Sequence, residues 1–297
     1  MVTRGILAAP VLFLHLAIAQ QHLPVEALEA KLKAKIAAYD QKMDGVLGVT
    51  AIDLTSGRTI SYNGDVLFPT ASVIKVPILV EIFRLARAGE FRMSDRITLE
   101  PSELVGGSGH LQNTLKNGPI QLTILDLITA MIETSDNTAT NRAIKLAHMD
   151  RVNVRTQQLG LTQTRLRRIM LDTEAAWKGN ENITTPMEIS RLVEMIYRGK
   201  AGHPDDCKEM IRIMKLVKGR MRDAIPANVE IASKTGDLTG VKCQTGIVYH
   251  PKRPFVVSVF GTYLTGEETP VAAITKMVYD HFDLLGSANV YGNRGVR

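Results

Sequence analysis

Ser72-Val73-Ile74-Lys75 stands at the head of an apolar, helix-like stretch that continues through Val76-Pro77-Ile78-Leu79 to about Ala88. A serine and a lysine three residues apart at a helix start lie on one face, one turn from each other. The first N–H groups of such a helix also aim positive potential at any anion forming beside the serine. A serine hydroxyl is a competent nucleophile only with a base next to it. Lysine is that base only when neutral, which burial or a neighbouring cation enforces. Taken alone, the four residues read equally well as a helix-capping serine and an exposed lysine. Two further motifs decide the matter: Ser135-Asp136-Asn137 and Lys234-Thr235-Gly236.

In this order and at these separations, the trio resembles the motif set of class A β-lactamases and penicillin-binding proteins. The resemblance covers nearly all of the chain after the first two dozen residues. It implies a role for each residue. Ser72 is the nucleophile, Lys75 its base, and Ser135 relays a proton to the leaving nitrogen. Asn137 hydrogen-bonds the substrate amide, while Asp136 ties down the local backbone. Lys234 supplies the cation that keeps Lys75 neutral and, with Thr235, receives a substrate carboxylate. Gly236 lets the ligand lie close to the strand. The N–H of Asp237 joins that of Ser72 as an oxyanion donor. An aspartate is unusual there, and its charge repels anionic substrates unless it is paired.

Local chemistry supports the second motif independently. Thr134-Ser135-Asp136-Asn137 are four short polar residues in a row, all poor helix formers, between apolar Ile132 and Ala139. They interrupt a helical pattern expected from Thr123 to Ile144, and such a conflict marks a functional site. The third motif is expected to end a strand reading Val229-Glu230-Ile231-Ala232-Ser233.

Many relatives hold the substrate carboxylate with an arginine on the strand after the third motif. Aligned on Gly246, that place is Thr245 here. Another subset supplies the arginine from the preceding segment, which here reads Gly219-Arg220-Met221-Arg222. Arg220 is therefore the expected anchor and Arg222 a structural residue. The family's deacylating glutamate has no counterpart. Three ways of counting land on Leu171, Met170 and Ile169, none of which takes a proton. The nearest carboxylates, Asp172 and Glu174, fall after the expected position and are the candidates for that role.

Residues Val25–Met43 have a helical apolar period (Val25, Leu28, Leu32, Ile36). Val49–Leu54 and Arg58–Tyr62 read as a hairpin, and Val229–Thr235, Gln244–Tyr249 and Phe255–Tyr263 as strands. Helices recur near Met187–Tyr197, Asp205–Lys215 and Pro270–Leu285. Pattern alone gives an α+β chain in two lobes. The resemblance implies a three-layer α/β/α sandwich with a five-stranded antiparallel sheet, plus an inserted all-α domain. The α/β domain takes residues 20–66 and 217–287, and the helical domain takes 67–216 with an Ω-loop near 164–186. A loose tail is expected over 288–297.

Residues 1–19 carry Arg4, an apolar run from Ile6 to Ile18 and an Ala-Ile-Ala end, the pattern of a cleaved secretory signal. Its removal lowers the formal charge from +6 to +5. The excess is mild, and no basic tract interleaved with aromatics supports nucleic-acid binding. Cys207 and Cys243 read as two buried free thiols, and the seven histidines are scattered, so no metal or other cofactor is expected. The expectation is a secreted or periplasmic monomer acting on a small-molecule substrate: a serine hydrolase acylated at Ser72 by β-lactams. The alternatives are a D-alanyl-D-alanine peptidase, a small-substrate esterase, and a sensor that acylates once.

Overall fold

The structure, a computed structural model, describes residues 24–266 and 269–294. The expected secretory signal lies outside them. The chain opens with helix α1 (Pro24–Asp40) and strands β1 (Val46–Asp53), β2 (Thr59–Tyr62) and β3 (Phe68–Pro69). A 3-10 turn, Ala71–Ile74, leads into α2 (Lys75–Arg87), then β4 (Arg96–Leu99), α3 (Leu111–Leu115) and β5 (Ile120–Thr123). Next come α4 (Ile124–Glu133), α5 (Asn137–Ala147), α6 (Met149–Gln158) and α7 (Thr173–Trp177). They are followed by β6 (Ile183–Thr184), α8 (Pro186–Tyr197) and α9 (Pro204–Met214). A second 3-10 turn, Arg220–Ala224, precedes β7 (Ile231–Leu238), β8 (Val241–Val248), β9 (Phe255–Thr262) and α10 (Pro270–Gly286).

Five strands form one antiparallel sheet in the order β2-β1-β9-β8-β7. Alternation along the strands makes both faces apolar. Leu47, Val49 and Ala51 of β1 and Phe255, Val257 and Val259 of β9 pack against α1 and α10, through Leu32, Ile36, Val271 and Phe282. Ile52, Ile247, Val256 and Phe260 face the other way and join the core of the helical middle. One core on each face gives the three layers expected, and the α+β class with its five-stranded antiparallel sheet is as read from the chain. Among the described residues no helix is long and apolar enough to cross a membrane.

Two expectations need correcting. The helix expected over Thr123–Ile144 is two helices, α4 and α5, because Ser135 takes a left-handed φ of 57°. The last motif does not end its strand: β7 runs on to Leu238, so Lys234, Thr235 and Gly236 lie inside it. The described part of the tail, from Ala288 to Arg294, contains a local turn among exposed residues. Asn289 closes a tight turn, its Oδ1 accepting from the N–H groups of Tyr291 and Asn293, each at 3.0 Å. An asparagine amide can stand in for the backbone in this way.

The segment between α6 and α8 is pinched shut at its base, as an Ω-loop is. Arg165 and Ile183 exchange backbone hydrogen bonds of 2.9 and 3.1 Å. Buried Asn182 Oδ1 accepts from the N–H groups of Arg167 (2.7 Å) and Arg168 (3.0 Å), and its Nδ2 donates to Arg168 O at 3.1 Å. Arg168 also pairs with Glu181 at 2.7 Å. Asn182→Ala leaves three buried backbone groups without that partner. A loss of about 2–4 kcal/mol in denaturant unfolding is expected, together with faster proteolytic nicking within 165–181.

Candidate active site

Ser135 Oγ sits between two buried lysine amines. Lys75 Nζ donates to it at 3.1 Å and Lys234 Nζ at 3.0 Å. Lys75 Nζ also donates to Ser135 O (2.7 Å) and Asn137 Oδ1 (3.1 Å), and Lys234 Nζ to Thr235 O (2.9 Å). Both lysines have no exposed surface. Burial, and then the charge of Lys234, hold the Lys75 amine well below its ordinary value. Burial brings Lys234 down to about 7, against the opposing pull of Cys243 and Asp237. Both amines are thus pushed toward the neutral form, and the Ser135 hydroxyl connects the two.

The break in the helical pattern places that hydroxyl. Asp136 is buried and caps α5, its Oδ1 accepting from Ala139 N and its Oδ2 from Leu111 N, both at 2.9 Å. Asn137 N donates to Ser108 O at 3.1 Å and Asn137 Nδ2 to Gly106 O at 3.0 Å. Polar side chains that would weaken a helix interior here tie the turn to the 106–111 segment.

Ser72 lies in the 3-10 turn rather than in the α-helix, and Lys75 begins α2. Residues three apart eclipse in a 3-10 helix, which keeps the two on one side. Ala71, just before Ser72, has a left-handed φ of 44°. The turn abuts β7, the edge strand of the sheet. A methyl group on Gly236 would sit 2.6 Å from Cys243 Sγ and 2.8 Å from Thr70 O, so only glycine allows this approach.

A family model described as "Beta-lactamase enzyme family" matches residues 28–282. The chain belongs to the beta-lactamase enzyme family. It is 32% identical over 236 residues to a beta-lactamase of Streptomyces albus G, covering 76% of this chain and 75% of that one. The crystal structure of a beta-lactamase from Sphaerobacter thermophilus is similar at a TM-score of 0.75 and 30% identity, covering 88% of this chain and 97% of that one. A point mutant of PBP-A, solved as an acyl-enzyme complex with penicillin G, is similar at a TM-score of 0.77 and 25% identity, over 87% of this chain and 97% of that one. The class A resemblance drawn from the three motifs therefore holds, and the chain is one of a family of amide-bond hydrolases.

The remaining candidates divide. Arg220 donates to Asp237, its Nη1 lying 2.9 Å from Oδ1 and 3.1 Å from Oδ2, and Lys242 Nζ is 3.2 Å from the same carboxylate. Arg222 is structural, donating to Val229 O (2.6 Å) and Pro226 O (2.8 Å). Thr245 is buried with its hydroxyl 2.6 Å from that of Ser258. Asp172 caps α7, its Oδ1 accepting from Ala175 N at 2.9 Å, and Glu174 is 80% exposed and paired with Lys178. Both carboxylates offered for deacylation are thus engaged elsewhere. Met170 packs into the core, its N–H donating to Asn141 Oδ1 at 2.7 Å. Gln244 was missed in the sequence. Its Oε1 accepts from Met221 N (3.2 Å) and its Nε2 donates to Ser233 Oγ (3.0 Å), pinning the Arg220 turn to β7. A polar residue flanked by Cys243 and Thr245 within an apolar strand was the available signal.

The cleft should lose a positive charge as pH rises through about 7, where Lys234 gives up its proton. Nζ-selective NMR titration against Lys234→Arg reads this directly. The expected result is one lysine titrating near neutrality and Lys75 titrating below its ordinary range.

Proposed function

We propose that this chain is an exported, monomeric serine hydrolase in which Ser72 attacks the amide carbonyl of a β-lactam. The observation that carries this reading is the Ser135 hydroxyl bound between Lys75 and Lys234. Neutral Lys75 takes the proton of Ser72 as the oxygen–carbon bond forms. The oxyanion lies against the N–H groups of Ser72 and Asp237. Ser135 then passes the proton held by Lys75 to the leaving nitrogen as the amide bond breaks, leaving an ester on Ser72. Lys234 and Thr235, with Arg220, bind the substrate carboxylate, and Asn137 binds the acyl amide.

Hydrolysis of that ester is the weak step. General-base help to the attacking water is worth roughly 10²–10⁴-fold, and the family's glutamate is expected among Ile169, Met170 and Leu171, none of which takes a proton. Asp172 and Glu174 are engaged in a helix cap and a surface ion pair. The same observation favours a second reading, a D-alanyl-D-alanine peptidase, whose leaving group departs and lets water or an amine enter from its side. The penicillin acyl-enzyme of the PBP-A mutant is compatible with either.

Intact mass followed over time after mixing with penicillin tests this. A long-lived adduct, absent in Ser72→Ala, is expected; no adduct and no loss of penicillin would overturn the assignment. Met170→Glu should shorten the adduct lifetime on the order of 10²-fold, read by the same spectra.

A further inference from the structure

The substrate class of this site is set in part by a residue outside the three motifs. Asp237 is 39% exposed on the edge strand, between Arg220 (33% exposed) and Lys242 (25% exposed). Lys242 faces it directly across the β7–β8 pair. The Arg220 Nη1 spans both carboxylate oxygens, at 2.9 and 3.1 Å. That is the arrangement a bound substrate carboxylate would adopt on the same arginine.

The pair is not needed to hold the turn that carries Arg220. Gln244 binds that turn to β7, and Arg222 closes it onto Val229 and Pro226. A half-exposed ion pair is weak, so an incoming carboxylate can displace it, yet must compete with it. The backbone beside Asp237 is that of the reacting strand, one residue beyond Gly236. Any anion placed on Thr235 and Arg220 must therefore take the guanidinium from Asp237, leaving that carboxylate paired with Lys242 alone.

We propose that Asp237 is a specificity-determining residue: its carboxylate occupies Arg220 in the place of a substrate carboxylate. The site consequently binds anionic acyl donors less tightly, relative to uncharged ones, than it would with an uncharged residue at this position. This rests on the serine-hydrolase reading above for its reaction, though not for its binding step.

The test is calorimetric binding of benzylpenicillin, an anion, and of its neutral methyl ester. The protein carries Ser72→Ala, so that no reaction intervenes. Asp237→Asn keeps the size and the backbone N–H but removes the charge. It should tighten benzylpenicillin about three- to tenfold and leave the ester within about twofold. Adding Arg220→Ala should abolish the gain. An equal change for both ligands would make Asp237 merely structural and overturn the proposal. So would no change, a gain that survives loss of Arg220, or no benzylpenicillin binding to either protein. Should Ser72 never be acylated in the parent chain while the binding difference holds, the hydrolase reading falls and this one stands.

Discussion

Two lysines buried against one hydroxyl form the constraint around which the rest of the molecule is arranged. Removing an ammonium from water costs several kcal/mol even after relaxation, and Lys75 and Lys234 are both fully enclosed. The cost is lowered by pushing both amines toward the neutral form and by surrounding them with acceptors: Ser135 O and Oγ, Asn137 Oδ1 and Thr235 O. The acceptors of Ser135 and Asn137 come from the break between α4 and α5, and that of Thr235 from within β7. Ser135 is the left-handed residue between two helices, and Lys234 lies on the sheet's edge strand. The break in the helix and the edge position of the strand are what let them meet.

The supporting parts share this character. Asp136 exchanges a continuous helix for two backbone caps, and Gly236 exchanges a side chain for contact with the turn that carries Ser72. Asn182 and Glu188 do the same for the base of the Ω-loop, Glu188 accepting from the N–H groups of Gln163 (2.8 Å) and Thr164 (2.7 Å). Reactive groups are held by buried polar side chains bonded to backbone, which are more rigid than surface pairs.

Much of this was legible in the chain. Strand and helix patterns gave the α+β class in two lobes while the layers came from the family resemblance, and the run Thr134–Asn137 announced its own break by being too polar for its setting. Strand limits were displaced because apolar Val229 and polar Glu230 continue the alternation of the strand, while pairing with β8 begins at Ile231. The 3-10 character of the Ser72 turn left no trace in composition, since Ala, Val and Ile suit either helix. Long-range polar partners were the least visible. Nothing near Asp237 in sequence announces that a turn 17 residues earlier delivers its arginine, and Asp172 reads as a free carboxylate until its capped helix is seen.

Across the sheet, Ser61, Thr50, Ser258 and Thr245 stand in register beside Lys234, one on each strand. Ser258 Oγ bonds both Thr245 (2.6 Å) and Ser190 of α8 (2.7 Å), deep between sheet and helices. That row limits what Thr245 can become. An arginine there would thrust a guanidinium into this hydroxyl file and strand Ser258, so a large charged side chain at Thr245 asks for compensating changes at Ser258 and Ser190 as well.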